Sequence, residues 1–528
     1  MAAHSVAVSE PSAAVSAHKW LIAIAVILGA ILPIFDLSAT YVSLPYMQGS
    51  FAASVDEIAW VVTSFLVAIS VMIPMTGWLA ARIGRKRYYI ISLLLFMSAS
   101  ALCGASQSLG SMVFFRLIEG AAGAATMPLS QAILFETFPP AEQTMAMSVF
   151  VFGMMSGPIL GPTVSGWVTM NLSWRWNFYI DVPVGAFAAI MIYLFVHDPP
   201  YLREQRGGGR VDYTGIICLA VGLGLLQIVL DRGQRSDWFA ATWVCYFTLI
   251  SAAALVILAF HELKFPDPIL DLRALKNFGF TLAMILITLE SLVLYSVNMV
   301  TPLFTQDLLG YDAWRSGLAV MPRGLGVIVA LLVVWVLSRG GRDVRALIGL
   351  GFLLGAYEIW RMSHWTIQVN IWSVIWPLFL FGVGFGAVFP VLTACGLGQI
   401  APKKLGFASS LFNMMMNTGA AIGIASVSNM ITSREQIHQS YLTQHFSRFA
   451  AWKVSMQPPR MPGSPSFNFM HSLVTGQKQG LGMAYNMIQH QAFLMSYNDV
   501  YRTLALIALL CAPMFIFLKR PGASREHD

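Results

Sequence analysis

The sequence predicts an all-α protein whose helices cross a lipid bilayer many times, and three observations predict it. Of its 528 residues, 57% are hydrophobic and only 11% are charged, whereas soluble proteins carry about 25% charged residues. The apolar residues stand in blocks of roughly 20, the length that a helix needs to cross a hydrocarbon layer about 30 Å thick. Lys and Arg are concentrated in short clusters between those blocks, as in the loops of membrane proteins. A soluble globular fold is therefore excluded.

About fourteen apolar blocks follow one another along the chain. Turn-forming residues separate them, for example Pro139 with Pro140 and Pro199 with Pro200. The first block opens after Lys19 and is too long for a cleaved signal peptide, so we interpret it as an uncleaved span. The predicted spans are residues 20–45, 57–80, 88–107, 111–135, 143–169, 178–196, 213–231, 238–260, 279–304, 317–338, 345–366, 371–394, 405–431 and 499–518.

The Lys and Arg residues of the connecting segments predict an orientation. With both termini in the cytoplasm, the inner segments hold 19 of these residues and the short outer segments hold 5. The more basic side of a membrane protein faces the cytoplasm. The sequence therefore predicts that both termini are cytoplasmic and that the long polar segment 432–498 lies outside.

Other classes of protein find little support in the sequence. The net charge of +7 is spread over loops, which argues against a nucleic-acid partner. The five cysteines lie inside apolar blocks and form no CxxC pair, so we expect neither a disulfide framework nor a zinc site. The chain contains no HExxH, GxSxG or GxxxxGK[ST] motif. We therefore expect no enzyme activity, no metal and no cofactor.

The loop after the second predicted span resembles the loop motif of the major facilitator superfamily. It runs from Gly77 to Arg87 and includes Arg82, Gly84 and Arg85. Glycine permits a tight turn and a close approach of helices, while the cations hold this end at the cytoplasmic surface. Ala81 stands where the general motif has an acid, so an ion pair from that position is not expected.

Three further segments strengthen the resemblance. Residues 114–120 resemble the motif of the fourth span, and residues 173–185 are closely similar to the segment that opens span six in EmrB/QacA-type drug:proton antiporters. Similar segments continue to the end, so residues 20–520 are identified as a member of that branch. The antiporter motif of span five, which we expect to shape helix packing, contains Gly157, Pro158, Gly161 and Pro162.

The resemblance implies two six-helix bundles with two additional helices inserted between them. We expect a disordered cytoplasmic N-terminus at 1–18, a first bundle at 19–198, the inserted helices with their linkers at 199–277, a second bundle at 278–520 that includes loop 432–498, and a tail at 521–528. In such proteins the two bundles rock around a central cavity. The expected location is the inner membrane of a bacterium.

The function that the resemblance implies is export of small lipophilic or cationic drugs in exchange for protons. The alternative is a dedicated exporter of one metabolite, such as a siderophore or an antibiotic precursor. EmrB-type pumps also work with a periplasmic adaptor of the EmrA type and an outer-membrane channel, so both are possible partners. The outer segment 432–498 could contact such an adaptor or form a cap without a partner.

Acidic residues inside spans are functional candidates, because a charge in the hydrocarbon core is costly unless it faces protein, water or a counter-ion. Asp36 matches the first-span acid of the EmrB/QacA-type motif and is the leading candidate for proton exchange. The alternative is a buried acid held by a neighbouring helix. Arg116 and Glu119 are three residues apart, which predicts an ion pair within one helix. The resemblance adds a role for Arg116 in proton transfer.

Candidates for substrate contact are less specific. Glu290 lies in the middle of a span of the second bundle, where it could hold a cationic drug or a second proton, or only contact another helix. Trp60, Phe65 and Tyr295 are aromatic candidates for the cavity wall, since aromatic rings bind cations. Met416 stands near the position where the resemblance would place an arginine in span thirteen.

Overall fold

The computed structural model describes residues 13–140, 142–198, 212–265, 268–311, 313–338, 343–401, 404–445 and 473–518. These residues are largely helical and include no strand, which confirms the all-α prediction. The main helices are α1 (Ala13–Phe51), α2 (Trp60–Ile83), α3 (Arg85–Ala105), α4 (Leu109–Thr137, interrupted after Gly123), α5 (Gln143–Asn171), α6 (Asp181–Phe195), α7 (Tyr213–Arg232), α8 (Thr242–Lys264), α9 (Phe278–Leu303), α10 (Pro322–Ser338), α11 (Ala346–Met362), α12 (Ile371–Leu397), α13 (Leu405–His445) and α14 (Leu473–Cys511).

A helix occupies every predicted span. Within the described ranges, twelve helices are long and apolar enough to cross a membrane. The other two predicted spans coincide with α11, which has 17 residues, and with the first part of α13, which carries many polar side chains. Both pack among the apolar helices of the same bundle, so each lies at membrane depth with its polar groups against protein.

The helices form two groups with an inserted pair. Helices α1 to α6 pack on one another, and α9 to α14 form a second group. Helices α7 and α8 pack together, and α7 also lies against α2 of the first group and α13 of the second. The two groups meet along α2 with α13 and along α5 with α10 and α12. This arrangement is the one that the resemblance implies.

The inserted pair is attached to α2 by polar contacts. Thr63 donates a hydrogen bond to the carboxylate of Asp231 on α7. The hydroxyl of Ser70 donates to the side-chain oxygen of Gln227 at 3.2 Å. Polar pairs between helices replace water as partners inside a bilayer. Helix α7 therefore covers the outer surface of α2.

The two groups touch at one end of the molecule, which we call the basic end because residues 82–87, 343–345 and 404 lie there. A Cβ at Gly77 of α2 would lie 2.6 Å from the Cα of Phe407 on α13, so the two backbones are in contact. Asn413 of α13 donates to the side-chain oxygen of Gln131 on α4 at 2.7 Å. The basic end is therefore closed.

The two segments after span thirteen differ from the prediction. Helix α13 continues to His445 and α14 begins at Leu473, although residues 432–498 were expected to be a loop. The two helices pair beyond the predicted spans, where Gln439 donates a hydrogen bond to the hydroxyl of Tyr485 at 3.3 Å. Hydropathy finds only the part of a helix that is apolar enough for lipid, so polar helical extensions escape it. Residues 446–472 lie outside the described residues.

The first helix also begins earlier than expected. Residues 1–18 were predicted to be disordered, yet α1 begins at Ala13. Alanine has the highest helix propensity, so the Ala-rich end of this segment extends the helix toward the N-terminus. Residues 1–12, the linker at 199–211 and the tail at 521–528 lie outside the described residues.

Candidate functional site

Four ionisable side chains from three helices meet inside the first group. They are Asp36 of α1, Arg116 and Glu119 of α4, and Asp181 at the start of α6, and all four are buried. We call this set the carboxyl cluster. One oxygen of each acid lies within 4.8 Å of the others. The chain thus gathers three acids and one guanidinium at membrane depth.

Arg116 holds the carboxyl cluster together. Its Nη1 donates to Oδ2 of Asp36 at 2.6 Å and to Oε2 of Glu119 at 3.0 Å. Its Nε donates to the carbonyl of Val61 on α2 at 3.2 Å. The predicted pair between Arg116 and Glu119 is thus present, and Asp36 joins it. A charged hydrogen bond is stronger than a neutral one, and more so away from water.

Aromatic rings enclose the guanidinium. The ring of Phe65 lies 4.1 Å and that of Phe178 lies 5.7 Å from the central carbon of Arg116. Phe65 was expected on a cavity wall, and the structure places it fully buried against Arg116. A cation over an aromatic face is stabilised most when both are desolvated. These rings keep water away from the carboxyl cluster in this conformation.

Asp181 is a member of the cluster that sequence reasoning missed. Its Oδ2 accepts a hydrogen bond from Ser100 of α3 at 3.1 Å. Arg175 donates to the carbonyls of Gly104 and Ser106 at 2.9 and 2.6 Å, which fixes the turn before α6. Asp181 lies within predicted span 178–196, so the rule that flagged Asp36 applies equally to it.

The balance of charge in the cluster defines its chemistry. Within the described residues, Oε1 of Glu119 and Oδ1 of Asp181 have no hydrogen-bond partner. One guanidinium cannot neutralise three carboxylates, and like charges in a site without water repel one another. The arrangement therefore suits the binding of protons. Three carboxylate oxygens can also ligate a cation, but Arg116 already occupies two of the acids.

Glu290 lies apart from the carboxyl cluster, on α9 of the second group. It is buried, and Ser291 donates to its Oε2 at 3.3 Å, while Oε1 has no partner among the described residues. Tyr295, one turn further along α9, interacts electrostatically with Glu290 and with Arg323 of α10. Tyr295 is 41% exposed although α9 packs on α12, α13 and α14. Arg323 and this grouping were not predicted.

Two other exposed aromatic residues lie near the inserted helix. The guanidinium of Arg232 on α7 lies 4.7 Å from the ring of Trp60, which therefore contacts the inserted pair. Tyr41 of α1 is 56% exposed and interacts electrostatically with Arg116 and Asp231. Tyr41 was not among the predicted residues. Whether Trp60, Phe65 and Tyr295 contact a substrate stays a prediction.

The predicted motif residues lie at helix contacts. Arg85 is buried and forms an ion pair with Glu136 of α4, while Arg82 stacks on Trp78. Gly84, between α2 and α3, has a φ of 97°, a backbone conformation that favours glycine.

The glycines of α5 face α1. A Cβ at Gly157 would lie 2.9 Å from a methyl of Ile34, and one at Gly161 would lie 2.6 Å from the Cβ of Ser38. Pro162 is exposed, and the side chain of Pro158 lies outside the described residues. The two glycines let α5 pack closely against α1, the helix that carries Asp36. The motif therefore helps to position one acid of the carboxyl cluster.

Comparison with known proteins agrees with this geometry. The model of the Major Facilitator Superfamily matches residues 26–424. The chain belongs to the major facilitator superfamily. The Multidrug export protein EmrB of Escherichia coli K12 is 30% identical over 508 residues, which is 95% of each protein. The Fatty acid resistance protein FarB of Neisseria gonorrhoeae is 29% identical, with 94% of this chain and 95% of FarB covered.

Solved structures share the fold of this superfamily member. A crystal structure of the human organic anion transporter MFSD10 has a TM-score of 0.60 at 14% identity and covers 96% of this chain and all of that one. At this identity the likeness speaks for the fold alone. Together with the membrane-spanning helices, superfamily membership makes the chain a multi-pass inner-membrane transporter of small molecules rather than an enzyme.

Proposed function

We propose that this transporter exports small lipophilic or cationic toxic compounds from the cell in exchange for protons. The observation that carries the proposal is the carboxyl cluster, in which Arg116 faces three buried acids. Relatives named for multidrug export and for fatty acid resistance support amphipathic substrates of this kind. The transporter lies in the inner membrane with both termini in the cytoplasm.

The carboxyl cluster stores the proton in this mechanism. Arg116 compensates one carboxylate, so the remaining acids are neutral when the site is closed to water. Opening to the cytoplasm hydrates the cluster and lets a proton leave. Asp36 is the acid that exchanges it, because it matches the first-span acid of the family motif. When Asp36 is protonated, Glu119, 3.0 Å from the same Nη1, remains as the carboxylate that compensates Arg116. The inward movement of one proton thus provides the energy for outward movement of a substrate.

Alternating access is part of this proposal, and the contacts between the two groups support it. Two hydrogen bonds join described residues of the two groups, and both lie toward the basic end. Ser409 donates to the carbonyl of Pro128, and Asn413 donates to the side chain of Gln131. With the basic end in the cytoplasm, the structure is closed on the inside. Opening to the cytoplasm requires the contacts of α13 with α2 and α4 to break while each group moves as a body.

The test uses purified protein in liposomes with an imposed pH gradient and no ATP. We expect a fluorescent cation such as ethidium to move against its gradient, and we expect Asp36→Asn to abolish this movement while leaving the protein folded. Asp237→Asn is the matched control, because Asp237 is exposed and its left-handed conformation suits asparagine. Coupled transport by Asp36→Asn at the level of the control would refute the assignment of Asp36.

The breadth of substrates is measured in the same liposomes with a panel of unrelated lipophilic compounds. Transport of several of them supports a multidrug exporter. Transport of a single compound would instead favour a dedicated metabolite exporter. No pH-driven flux of any compound would contradict proton coupling.

The helical extension of α13 and α14 is the proposed contact for a periplasmic adaptor of the EmrA type, which would lead to an outer-membrane channel. The two helices pair through His438 with Asp499 at 2.9 Å and through Gln439 with Tyr485 at 3.3 Å. Exposed apolar side chains such as Ile437 remain on this extension. Exposed apolar groups beyond the membrane are typical of contacts with other proteins.

Photo-crosslinking in the native host tests this contact. A benzoylphenylalanine at position 437 should capture a membrane-anchored adaptor, whereas the same group at Phe187, an exposed residue of α6, should not. Equal capture from both positions, or capture of no adaptor from position 437, would contradict the proposed contact.

A further inference from the structure

Helix α10 carries a cation on the side that faces the protein. Leu325, Val329, Leu332 and Val336 are exposed and form one stripe along the helix, as expected for a surface in contact with lipid. Arg323 precedes Leu325 by two residues, which places it about 200° around the helix from that residue. It shares its face with Val327, Ala330 and Val334, all of which are buried. The side chain of Arg323 is therefore directed away from lipid.

The backbone that carries Arg323 is held closely by α12. Gly382 of α12 packs directly against the carbonyl of Arg323, so that a Cβ at position 382 would overlap it. Gly326 of α10 packs in the same way against the carbonyl of Phe379 on α12. Contact between two helix backbones leaves little freedom to move. Arg323 is also in the first turn of α10, where the helix dipole favours a negative charge nearby. The position is fixed and electrostatically positive.

No protein carboxylate neutralises this cation in the described part of the chain. Arg323 forms neither an ion pair nor a hydrogen bond with any described residue, in contrast to Arg116, which binds two acids. Its electrostatic neighbour is the phenol of Tyr295, which is itself partly exposed. Glu290 is close to Tyr295 but receives its hydrogen bond from Ser291. An arginine inside a span normally meets a counter-ion or water.

We propose that Arg323 and Tyr295 bind the anionic head group of an amphipathic substrate, a carboxylate or a sulfonate. The planar guanidinium donates two parallel hydrogen bonds to such a group, and the tyrosine hydroxyl donates a third. This inference rests on the proposed export function and adds to it a substrate class, organic anions with an apolar tail. The carboxyl cluster of the first group is then left for protons, and the second group selects the substrate.

The experiment compares two amphiphiles of equal chain length in phosphatidylcholine liposomes with an imposed pH gradient. The probes are decyl sulfonate and decyltrimethylammonium. For Arg323→Gln we expect KM for the sulfonate to rise at least tenfold, while KM for the ammonium compound changes less than twofold. Arg235→Gln is the control for loss of one positive charge, since Arg235 is exposed at the far end from the basic end. Tyr295→Phe, which removes only the hydroxyl, should raise KM for the sulfonate severalfold.

The outcomes separate the two proposals. If the unaltered transporter moves neither compound, the proposed function fails. If it moves the sulfonate and both Arg323→Gln and Tyr295→Phe move it equally well, only the head-group site fails. If Arg323→Gln transports neither compound, misfolding of the variant would explain the result equally well, and Tyr295→Phe then gives the answer. The head-group site stands only if Tyr295→Phe raises KM for the sulfonate and leaves KM for the ammonium compound unchanged. If added phosphatidylglycerol competes with the sulfonate in the unaltered protein but not in Arg323→Gln, the site binds a lipid head group and the substrate assignment is wrong.

Discussion

At the scale of single residues, the carboxyl cluster shows how several acids share one base. Nη1 of Arg116 reaches Asp36 at 2.6 Å and Glu119 at 3.0 Å, so removing either negative charge leaves the other beside the guanidinium. Breaking a buried ion pair is costly chiefly because it leaves a charge without compensation. The pair expected from sequence spacing, Arg116 with Glu119, is therefore one part of a larger group.

This sharing predicts a non-additive effect on stability. Asp36→Asn and Glu119→Gln should each lower the free energy of unfolding by about 1 kcal/mol, because each amide still accepts a hydrogen bond from Arg116. The double variant should lose about 3–5 kcal/mol, since Arg116 then lacks both nearby carboxylates. The measurement is thermal unfolding in detergent followed by tryptophan fluorescence. Additive losses would mean that the two acids do not compensate for each other.

Sequence reasoning found part of this site for a clear physical reason. A charge in an apolar block is conspicuous, so Asp36, Arg116, Glu119 and Glu290 could be identified without a structure. Asp181 lies within predicted span 178–196 and is open to the same reasoning. Arg323, within predicted span 317–338, was open to the same reasoning, but the sequence does not reveal that the described part of α9 to α14 provides no carboxylate partner for it.

At the scale of helices, the contact between α2 and α13 depends on one missing side chain. The nearest atoms to a Cβ at Gly77 would be the Cα of Phe407 at 2.6 Å and the carbonyl of Gly406 at 2.7 Å. Both belong to backbone, which cannot move aside as a flexible side chain can. The glycine of the predicted loop motif is therefore required where the two groups meet, and the motif predicts more than a turn.

We expect Gly77→Val to hold the basic end open. The reporter is maleimide labelling of a cysteine at position 409, introduced after replacement of the five native cysteines, because Ser409 is fully buried in the closed form. Labelling should become about tenfold faster in Gly77→Val. Gly110→Val is the matched control, since a Cβ there meets nothing within 4 Å. Unchanged labelling in Gly77→Val would show that the contact is not needed for closure.

The extension of α13 and α14 gives a second prediction at this scale. Asp499 of α14 lies 2.9 Å from His438 and 3.9 Å from Arg434, both on α13. Partly exposed pairs near the surface, such as these, contribute about 0.2–1 kcal/mol. Asp499→Asn should therefore speed hydrogen exchange of residues 432–445 by about two- to fivefold, measured by mass spectrometry.

The control for this exchange experiment is Asp56→Asn, which removes an exposed acid paired with Arg235 elsewhere in the molecule. It should leave exchange in residues 432–445 unchanged. Rapid exchange throughout that segment in the unaltered protein would contradict the helix itself. Hydropathy identified the membrane-spanning part of both helices and missed this part, because its side chains are suited to water.

At the scale of the whole molecule, the two groups have a similar helical plan but pair their buried charges differently. The first buries three acids around one guanidinium, whereas the second carries Arg323 without a described carboxylate partner. Composition predicted the succession of helices, because the order of apolar blocks follows the chain, and the family resemblance implied the two groups and the inserted pair. They could not predict this difference, which depends on the helix faces that meet in space.

The conformational cycle makes the last prediction. If each group moves as a rigid body, fixing Gln131 of α4 to Asn413 of α13 should stop transport, because their side chains are 2.7 Å apart only when the basic end is closed. Cysteines at both positions, joined by a short reducible bis-thiosulfonate in a background without other cysteines, should reduce transport more than tenfold. Reduction of the cross-link should restore it, as measured by pH-driven flux in liposomes.

The matched control joins two helices of one group, so it should leave the cycle intact. The hydroxyls of Ser43 on α1 and Ser165 on α5 lie 3.4 Å apart, and cysteines there can form a disulfide inside the first group. We expect transport to continue with this disulfide and to stop with the cross-link between groups. That result would mean that the two groups must separate as rigid bodies during transport. Undiminished transport with the cross-link between groups fully formed would rule out separation of α4 and α13 as a step of the cycle.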